Sequence, residues 1–540
     1  MTTLITFDQL GFQHPNGQTL FQNLSGTIGT EAVGLVGDNG VGKTTFARLL
    51  AAELVPTQGR IHRHGTLYYL PQQIQPNGQH TLADLIGIRP TLDALQRIEQ
   101  GSIAETDFEQ VSARWDIRQQ AQTQLERYGL TFDLETACNR LSGGELTRVA
   151  LIGAFLSEAD LLILDEPTNH LDIQQRQILF EQIRNWQKGL VVISHDIQLL
   201  NLMDRILELS PQGLKSYGGN YDFYQQQKTL EQQALQATLD QAKQQRKVEL
   251  QTLQRQQERQ QKKQAAGARE GKQANQAKIL LDRQKERSQQ SSGKLNKHIV
   301  DSRNELNQKV QQAAQAIAKQ SPRYLFAPDT QVATNKLILR LRDVVLPYNL
   351  TGGQPLDFDL VGAQRVGLIG PNGCGKSTLL KIIGGLFPHE HKHDHDQVQL
   401  QVAAAYIDQH ASQLNPNTGV LTQMQQTGQL TESDARQRFA QVGLTAEKVQ
   451  LPSRQLSGGE PIKAALLCAL YRQPAPQLLL LDEPNNHIDL ASSQALIDML
   501  NQYQGALMIV SHDMAFLNQL NLTHKLHWQT KHQLPNHQAW

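Results

Sequence analysis

A glycine-rich loop that ends in lysine and a hydroxyl residue occurs twice in this chain of 540 residues. Glycines at such spacing let backbone N–H groups wrap an anion, and a helix that starts at the lysine adds positive potential. Each loop follows a short apolar run, so the pattern predicts two phosphate-binding loops. The expected nucleotide-binding residues are Gly37, Asn39, Gly40, Gly42, Lys43, Thr44 and Thr45 in the first loop, and Gly370, Asn372, Gly373, Gly375, Lys376, Ser377 and Thr378 in the second.

Two adjacent carboxylates follow an apolar run downstream of each loop. The first carboxylate suits the coordination sphere of Mg²⁺, together with the hydroxyl that ends the phosphate loop, and the second is placed to polarise an attacking water. A strand that merely ends in solvated acids is the alternative, which the phosphate loops upstream disfavour. The expected Mg²⁺ ligands are Asp165, Asp482, Thr44 and Ser377, and the expected catalytic carboxylates are Glu166 and Glu483.

A histidine and a Leu-Ser-Gly-Gly-Glu motif accompany each acidic pair. His195 and His512 both lie 29 residues after the glutamate, and this matched spacing favours a catalytic contact with phosphate over a structural role. The Leu-Ser-Gly-Gly-Glu motif indicates a helix start whose serine caps and whose glycines expose N–H groups to an anion. We therefore predict that the motif of one half closes over the nucleotide of the other half. Its residues are Ser142, Gly143 and Gly144, and Ser457, Gly458 and Gly459.

The elements around these motifs repeat in the same order, so the chain contains two copies of one α/β domain. The first copy carries about 22 extra residues within 74–135, which we expect to lie on the surface. Lys+Arg and Asp+Glu both number 51, which excludes a uniformly basic nucleic-acid binder. Without an apolar run of the ~18 residues that a membrane helix needs, without a basic head and apolar signal core, and with three scattered cysteines, the chain is expected in the cytoplasm.

Between the copies lies a segment of different composition. Residues 228–323 contain 20 Lys/Arg against 9 Asp/Glu and almost no aromatics. Such a charge run favours contact with RNA backbone rather than base stacking, and a solvated basic face is the alternative. Apolar spacing predicts two long antiparallel helices, the first over about 222–264, joined at a basic tip whose glycines, at 262–272, break the helix. The predicted apolar seam consists of Leu235, Leu239, Ala242 and Leu253, then Ile299, Leu306, Val310, Ala313 and Ile317.

The complete set of motifs resembles that of ATP-binding cassette ATPase domains, and it spans nearly all of both copies. Besides the motifs above, it includes a glutamine after the next strand and a D-loop at 169–172 and 486–489. The resemblance implies ATP and Mg²⁺ as cofactors, with Gln72 and Gln409 contacting both. It further implies that His14 and Tyr348 stack on adenine.

Two such domains joined by a long charged linker resemble the ABC-F subfamily. The runs Asp-Glu-Pro-Thr-Asn-His-Leu-Asp at 165–172 and Ser-Tyr-Gly-Gly-Asn-Tyr-Asp-Phe-Tyr at 216–224 strengthen the resemblance. It implies a monomeric ATPase that binds the ribosome, with the linker near rRNA and the P-site tRNA and the arm on ribosomal protein and RNA. We accordingly predict a first cassette at 1–225 with its arm-like insertion at about 74–135, a basic helical linker at 226–330 and a second cassette at 331–540.

The second copy departs from the family pattern at two positions. Pro461 stands where the family usually has Gln, and Asn485 stands where it usually has Thr. Both lie near the second signature or D-loop and leave open whether the two ATP sites are equivalent. Because both glutamates are present, we predict two hydrolysis-competent sites.

Other functions and one other site stay open from the sequence. A DNA-linked ATPase of repair or recombination would use the same basic linker, although no long C-terminal coiled coil is expected. A soluble ATPase subunit of a transporter would give that linker no role. The run His-Glu-His-Lys-His-Asp-His-Asp at 389–396 has the chemistry of a metal ligand set, and a solvated loop is the favoured interpretation.

Overall fold

A computed structural model of the protein describes residues 2–75, 80–273, 297, 299–314, 330–347, 355–387, 397–428, 430–456, 458–486, 488–527 and 536–539. These residues form two compact units. One unit contains both copies of the repeated domain, and the other consists of Gln225–Arg323.

The first copy alternates strands and helices. Its strands are β1 Ile5–Gln13, β2 Thr19–Ile28, β3 Ala32–Val36, β4 Gln58–Arg63, β5 Leu67–Leu70, β6 Leu161–Asp165, β7 Gly189–Ile193, β8 Arg205–Ser210 and β9 Gly213–Gly218. Its helices are α1 Lys43–Leu50, α2 Leu82–Ile86, α3 Arg89–Glu99, α4 Glu105–Val111, α5 Ile117–Arg127, α6 Gly143–Leu156, α7 Ile173–Asn185 and α8 Ile197–Leu200, with a short 3₁₀ turn at Cys138–Arg140.

Two linker helices follow, α9 Tyr221–Gln273 and α10, which is described over 299–314. The strands of the second copy are β10 Leu337–Val344, β11 Leu356–Val361, β12 Arg365–Ile369, β13 Val398–Leu400, β14 Ala404–Ile407, β15 Leu478–Asp482, β16 Ala506–Val510, β17 His524–His527 and β18 Asn536–Ala539. Its helices are α11 Lys376–Ile383, α12 Val420–Gly428, α13 Glu432–Gln441, α14 Glu460–Leu470, α15 Leu490–Gln502 and α16 Met514–Gln519, with 3₁₀ turns at Lys448–Gln450 and Ser453–Gln455.

Each copy is built on a six-stranded, mostly parallel sheet beside a three-stranded antiparallel one. The strand orders are β5-β6-β7-β3-β8-β9 and β14-β15-β16-β12-β17-β18, in which β9 and β18 are the antiparallel edge strands. The smaller sheets are β2-β1-β4 and β11-β10-β13. This architecture confirms the predicted fold of two tandem α/β domains.

Strand β6 shows how a continuous apolar run becomes a two-faced core. Leu161 and Ile163 pack in the cluster that contains Phe46 of α1, whereas Leu162 and Leu164 pack in the cluster that contains Leu151 of α6. Because helices cover both faces, every residue of the strand is buried and the run does not alternate with polar residues. The acidic end of the strand therefore emerges at the edge of the sheet, where the phosphate loop lies.

The extra residues of the first copy form helices α3 and α4. In the second copy α12 ends at 428 and α13 begins at 432, whereas in the first copy α2 and α5 are separated by 87–116. Arg97 of α3 pairs with the buried Asp107 of α4 at 2.7 Å. Near α4, Ile103, Phe108 and Trp115 leave large apolar side chains exposed. The insertion is thus an ordered helical pair whose tip offers apolar surface.

The linker helix differs from its sequence prediction at the glycines. Helix α9 does not break within 262–272 but continues through Gly267 and Gly271 to Gln273. The prediction was wrong because one helical glycine costs only about 1 kcal/mol relative to alanine, and strong helix formers surround both positions. The seam prediction agrees with burial at Leu239, Leu253 and Leu306. Ile317, the other end of the predicted seam, lies outside the described residues.

Arg246 of α9 and Asn307 of α10 connect the two linker helices. Arg246 Nη1 donates to Asn307 Oδ1 at 3.4 Å, a long hydrogen bond between exposed side chains. Among the described residues, no helix combines the length and apolar character needed to cross a bilayer.

Candidate functional site

Both glycine-rich loops have the backbone shape of an anion cradle. In the first loop Gly37, Gly40 and Gly42 all have positive φ, and a Cβ on Gly37 would lie 2.2 Å from the carbonyl oxygen of Leu209. No residue with a side chain fits that position. In the second loop Gly373 and Gly375 adopt the corresponding left-handed conformations. Helices α1 and α11 begin directly after the glycines of their loops. Both helix N-termini therefore point at a phosphate bound in the loop.

The loop lysines are buried and fold back over the loop. Lys43 Nζ donates to the carbonyl oxygens of Gly37 and Asp38 at 2.7 and 3.2 Å. Lys376 Nζ makes the equivalent bonds to Gly370 and Pro371, both at 2.8 Å. Burial lowers the pKa of Lys43, while nearby carboxylates, Glu166 first, oppose that change. Each ammonium group is therefore held at the loop, where a terminal phosphate would meet it.

Each predicted catalytic glutamate faces the predicted histidine of its own copy. His195 Nε2 lies 3.5 Å from Glu166 Oε1, and His512 Nε2 lies 3.3 Å from Glu483 Oε1. Register explains the pairing, because Asp165 lies opposite Ile193 and the residues after both strands leave the sheet at one edge. Glu166 and Glu483 both have φ near +50°, which directs the side chain away from the strand path at the cost of backbone strain.

Burial shifts the acid–base properties of these groups. It raises the pKa of Glu483 to about 7, although Lys376 and Arg176 oppose the rise. It also raises the pKa of Glu166, and the neighbouring charge of Asp165 adds to that rise. Burial lowers the pKa of His512 well below its ordinary value, assisted by Lys376 and Arg176. A carboxylate whose pKa lies near neutrality is suited to accept a proton from water.

The residues predicted to hold Mg²⁺ have hard oxygen donors in suitable places. Ser377 Oγ donates to Asp482 Oδ1 at 2.9 Å, so the hydroxyl and the carboxylate lie close enough to bind one cation. In the first copy burial raises the pKa of the Asp165 carboxyl to about 6, and the nearby Thr44 hydroxyl opposes that rise. Asp165 Oδ1 is buried without a hydrogen-bond partner among the described residues. An oxygen-coordinated divalent cation would satisfy that atom, so the donor set fits Mg²⁺.

The D-loops join each copy to the phosphate loop of the other. Asp489 Oδ2 accepts a hydrogen bond from the Asn39 backbone N–H at 2.9 Å. In the reciprocal contact Asp172 Oδ2 accepts from the Asn372 backbone N–H at 3.4 Å, and His170 O accepts from Asn372 Nδ2 at 2.9 Å. Each phosphate loop is therefore a contact point between the copies.

The two Leu-Ser-Gly-Gly-Glu signatures have different structures. Helix α6 begins at Gly143, and Ser142 and Glu145 form a reciprocal capping box there. Helix α14 begins only at Glu460, with Gly459 as its N-terminal cap. Gly458 precedes the helix in a left-handed conformation, and a Cβ on it would lie 2.5 Å from Asn39 Nδ2. The second signature therefore touches the first phosphate loop, whereas nothing lies within 4 Å of a Cβ built on Gly143.

Other predicted residues stand apart from these contacts. Gln72 is exposed after β5, and the Gln409 amide lies 3.1 Å from the His410 ring. His14 is half-buried at the end of β1, where its ring meets Phe12 edge-on. Gly144 lies beside the backbone of His170. Tyr348, Ser457 and the histidine-rich run at 389–396 lie outside the described residues.

Several functional neighbours were not predicted from the sequence. The hydroxyls of Tyr69 and Tyr406 point at the Asp165 and Asp482 carboxylates, at 3.5 and 3.1 Å. Their matched positions, three residues before each predicted glutamine, were an available signal. The sequence offered no such signal for Arg176, because the corresponding residue of the second copy is Ser493.

Comparisons with known proteins agree with this geometry. The family model described as ABC transporter matches residues 21–169 and 353–486, more than half of the chain. The Probable ATP-binding protein YheS of Escherichia coli is 30% identical over 92% of this chain and 74% of its own length. The ribosome protection protein VmlR of Bacillus subtilis is 26% identical over 96% of this chain and 85% of its own length.

A solved structure reproduces the tandem fold. The archaeal ribosome recycling factor aABCE1, crystallised with the ribosomal stalk protein aP1, aligns with a TM-score of 0.54 over 98% of this chain and 89% of its own length. At 16% identity this likeness concerns the fold alone. The family match, the YheS relationship and the paired sites together classify the molecule. The chain belongs to the ATP-binding cassette ATPases, and within them to the ABC-F subfamily.

Proposed function

We propose that this ATPase is a ribosome-binding translation factor of the cytoplasm, whose binding and release are timed by ATP. Two ATP molecules with Mg²⁺ would lie between the copies, and closure would direct the linker at 228–323 toward rRNA and the P-site tRNA. Hydrolysis would separate the copies and release the ribosome. The relative VmlR, named as a ribosome protection protein, supports the choice of partner.

The observation that carries the proposal is the reciprocal contact between phosphate loops and D-loops. Asn39 meets Asp489, and Asn372 meets Asp172, so both nucleotide sites adjoin the interface of the copies. A ligand that contacts both copies favours the closed state by its differential affinity for that state. The bound nucleotide would therefore set the distance between the two copies. The linker joins the copies in sequence, so its position would change with that distance.

The proposed chemistry assigns a task to each group. ATP with Mg²⁺ supplies the phosphoryl group that water attacks. The two loop lysines would hold the phosphates, and Ser377 with Asp482, like Thr44 with Asp165, would hold the cation. Glu166 and Glu483 would take a proton from the attacking water, and the adjacent histidines would orient it. The first site would be completed by the second signature, and the second site by the first signature.

Charge supports the linker as the nucleic-acid contact. Within α9, the side chains of Lys243, Lys247, Arg255, Arg259 and Lys262 are exposed. Cations neutralising phosphates are the main source of sequence-independent nucleic-acid affinity. A DNA-linked ATPase and a transporter subunit are less favoured, because neither relative reported above is named for such a role.

Replacing both Glu166 and Glu483 with Gln tests the proposal. The amide keeps the shape of the site but cannot accept a proton, so ATP should persist and hold the copies closed. We expect the double variant to cosediment with ribosomes in ATP and to leave them in ADP, whereas the wild type cycles off. A double variant that stays free of ribosomes in ATP, or binds branched DNA in preference to them, would contradict the proposal.

A further inference from the structure

We propose that the two ATP sites work at unequal rates. The site of Lys376 and Glu483, closed by the first signature, would hydrolyse ATP rapidly, and the site of Lys43 and Glu166, closed by the second signature, would retain ATP and hydrolyse it slowly. This inference rests on the composite sites of the proposed function, and it adds a division of labour between them. It is carried by differences in structure between the two signatures.

Pro461 explains why the second signature helix starts late. In the first copy the N–H of Leu146 donates to Ser142 O at 3.0 Å, the hydrogen bond that begins α6. Pro461 occupies the matching position and has no N–H to donate. Helix α14 therefore starts two residues later than the repeat predicts, with Pro461 in its first turn, where proline is tolerated.

The later start changes what the signature presents to a nucleotide. In α6 the N–H groups of Gly143 and Gly144 lie in the first turn and point along the helix axis, as a γ-phosphate site requires. Gly458, at φ +56°, lies outside α14, so its N–H group does not share the axis of the helix. Its close approach to Asn39 also leaves less room beside the first phosphate loop.

Side chains that brace the first signature have other partners in the second. Arg148 joins the signature to the preceding segment, since its Nε donates to Gly144 O at 3.3 Å and its Nη1 to Tyr128 O at 2.8 Å. The matching Lys463 instead donates to Ser492 Oγ at 3.2 Å. Glu460, which matches the capping Glu145, pairs with Lys448 at 2.5 Å. The second signature is thus held differently at each of these points.

Single substitutions of the two glutamates test the inequality on purified protein without ribosomes. We expect Glu483→Gln to lower steady-state ATP hydrolysis at least about tenfold, and Glu166→Gln to retain more than about half of it. Equal losses in the two variants would overturn the inference. If the double variant hydrolyses ATP like the wild type, the glutamate roles in the proposed function fail instead, which is a separate result.

A repair of the second signature provides the sharper test. Adding Pro461→Leu, the residue of the first copy, to Glu483→Gln should raise hydrolysis at least about fivefold, because α14 can then begin at the signature. Adding Lys463→Arg as well should not reduce that gain. The matched control Leu146→Pro in the Glu166→Gln background should lose activity. No gain from the repair in a variant that still binds ATP with the stoichiometry of the wild type would refute the inference.

The nucleotide retained by the wild type supplies an independent readout. After brief incubation with radiolabelled ATP and Mg²⁺ followed by rapid gel filtration, each chain should retain one ATP, and Lys43→Ala should abolish that retention whereas Lys376→Ala should not. Retention that depends on Lys376 instead would overturn the inference. The assay measures binding directly, so it remains informative if a variant lowers turnover for another reason.

Discussion

At the scale of single residues, the site combines buried acids with backbone strain. Glu166 and Glu483 both lie in left-handed conformations immediately after buried strands. Positive φ at a buried side chain is a conformational cost, and such strain clusters at functional sites. The sequence identified both residues, because two adjacent acids after an apolar run are visible in it. It could not give their protonation behaviour, which depends on neighbours contributed by distant segments.

The raised pKa of Glu483 predicts a pH-dependent gain in stability when it becomes Gln. The pKa of an unfolded glutamate is 4.5 and that of Glu483 is about 7. Its burial therefore favours the folded state below pH 4.5, and that contribution is lost as pH rises through about 7. We expect Glu483→Gln to raise the free energy of unfolding at pH 8 by at most about 3 kcal/mol, and by less at pH 5. The thermal midpoint should rise accordingly, more at pH 8 than at pH 5.

Thermal unfolding followed by circular dichroism at the two pH values measures this difference. The matched control is Gln502→Glu, a change at an exposed position at the end of α15 that should shift both midpoints alike. A gain from Glu483→Gln that is equal at pH 5 and pH 8 would contradict the assigned pKa.

At the scale of elements, the linker helix shows how local propensity overrides a breaker residue. Gly267 and Gly271 stand within α9 rather than at its end. The neighbouring alanines and long-chain residues lose little side-chain freedom in a helix, so the helix continues. By contrast, one proline delays the start of α14. Proline removes a backbone N–H donor, whereas glycine only raises the entropy cost of forming the helix.

Replacing Gly267 and Gly271 with Ala should therefore strengthen α9. Each change should stabilise the helix by about 1 kcal/mol, because alanine loses less backbone entropy. Far-UV circular dichroism should show a larger helical signal that persists to higher temperature. The reverse change Ala265→Gly is the control and should lower the signal. A double alanine variant with unchanged or reduced helicity would show that the helix does not pass through these positions in solution.

At the scale of the whole molecule, a chain without net charge carries a strongly basic segment. The linker excess of positive charge is balanced by the two copies and the ends of the chain. The overall charge balance alone would have argued against nucleic-acid binding, whereas the distribution of charge along the chain favours it. The proposed function uses this division, with nucleotide chemistry in one compact unit and the basic surface in the other.

Neutralising exposed linker cations should weaken ribosome binding without affecting ATP turnover by the free protein. With Lys243, Lys247, Arg255 and Arg259 all replaced by Gln, the slope of log affinity against log salt should fall by roughly 3 to 4, since each lost phosphate contact removes about one released counterion. Replacing four exposed glutamines of the same helix (Gln232, Gln244, Gln251 and Gln256) with Ala keeps the charge and is the control. An unchanged salt slope in the charge variant would contradict the linker as the RNA contact.

The sequence by itself determined the repeated domain, its α/β class and the residues of each phosphate loop and acidic strand end. Those features depend on short spacings and on apolar runs, which local chemistry fixes. Only the tertiary structure decided that Asp489 reaches Asn39, that Arg176 acts near Glu483, and that the two signatures differ. Such contacts join residues hundreds of positions apart, and the packing of one copy against the other sets them. Pro461 was visible as a departure, but its effect on the start of a helix became apparent only beside the intact first copy.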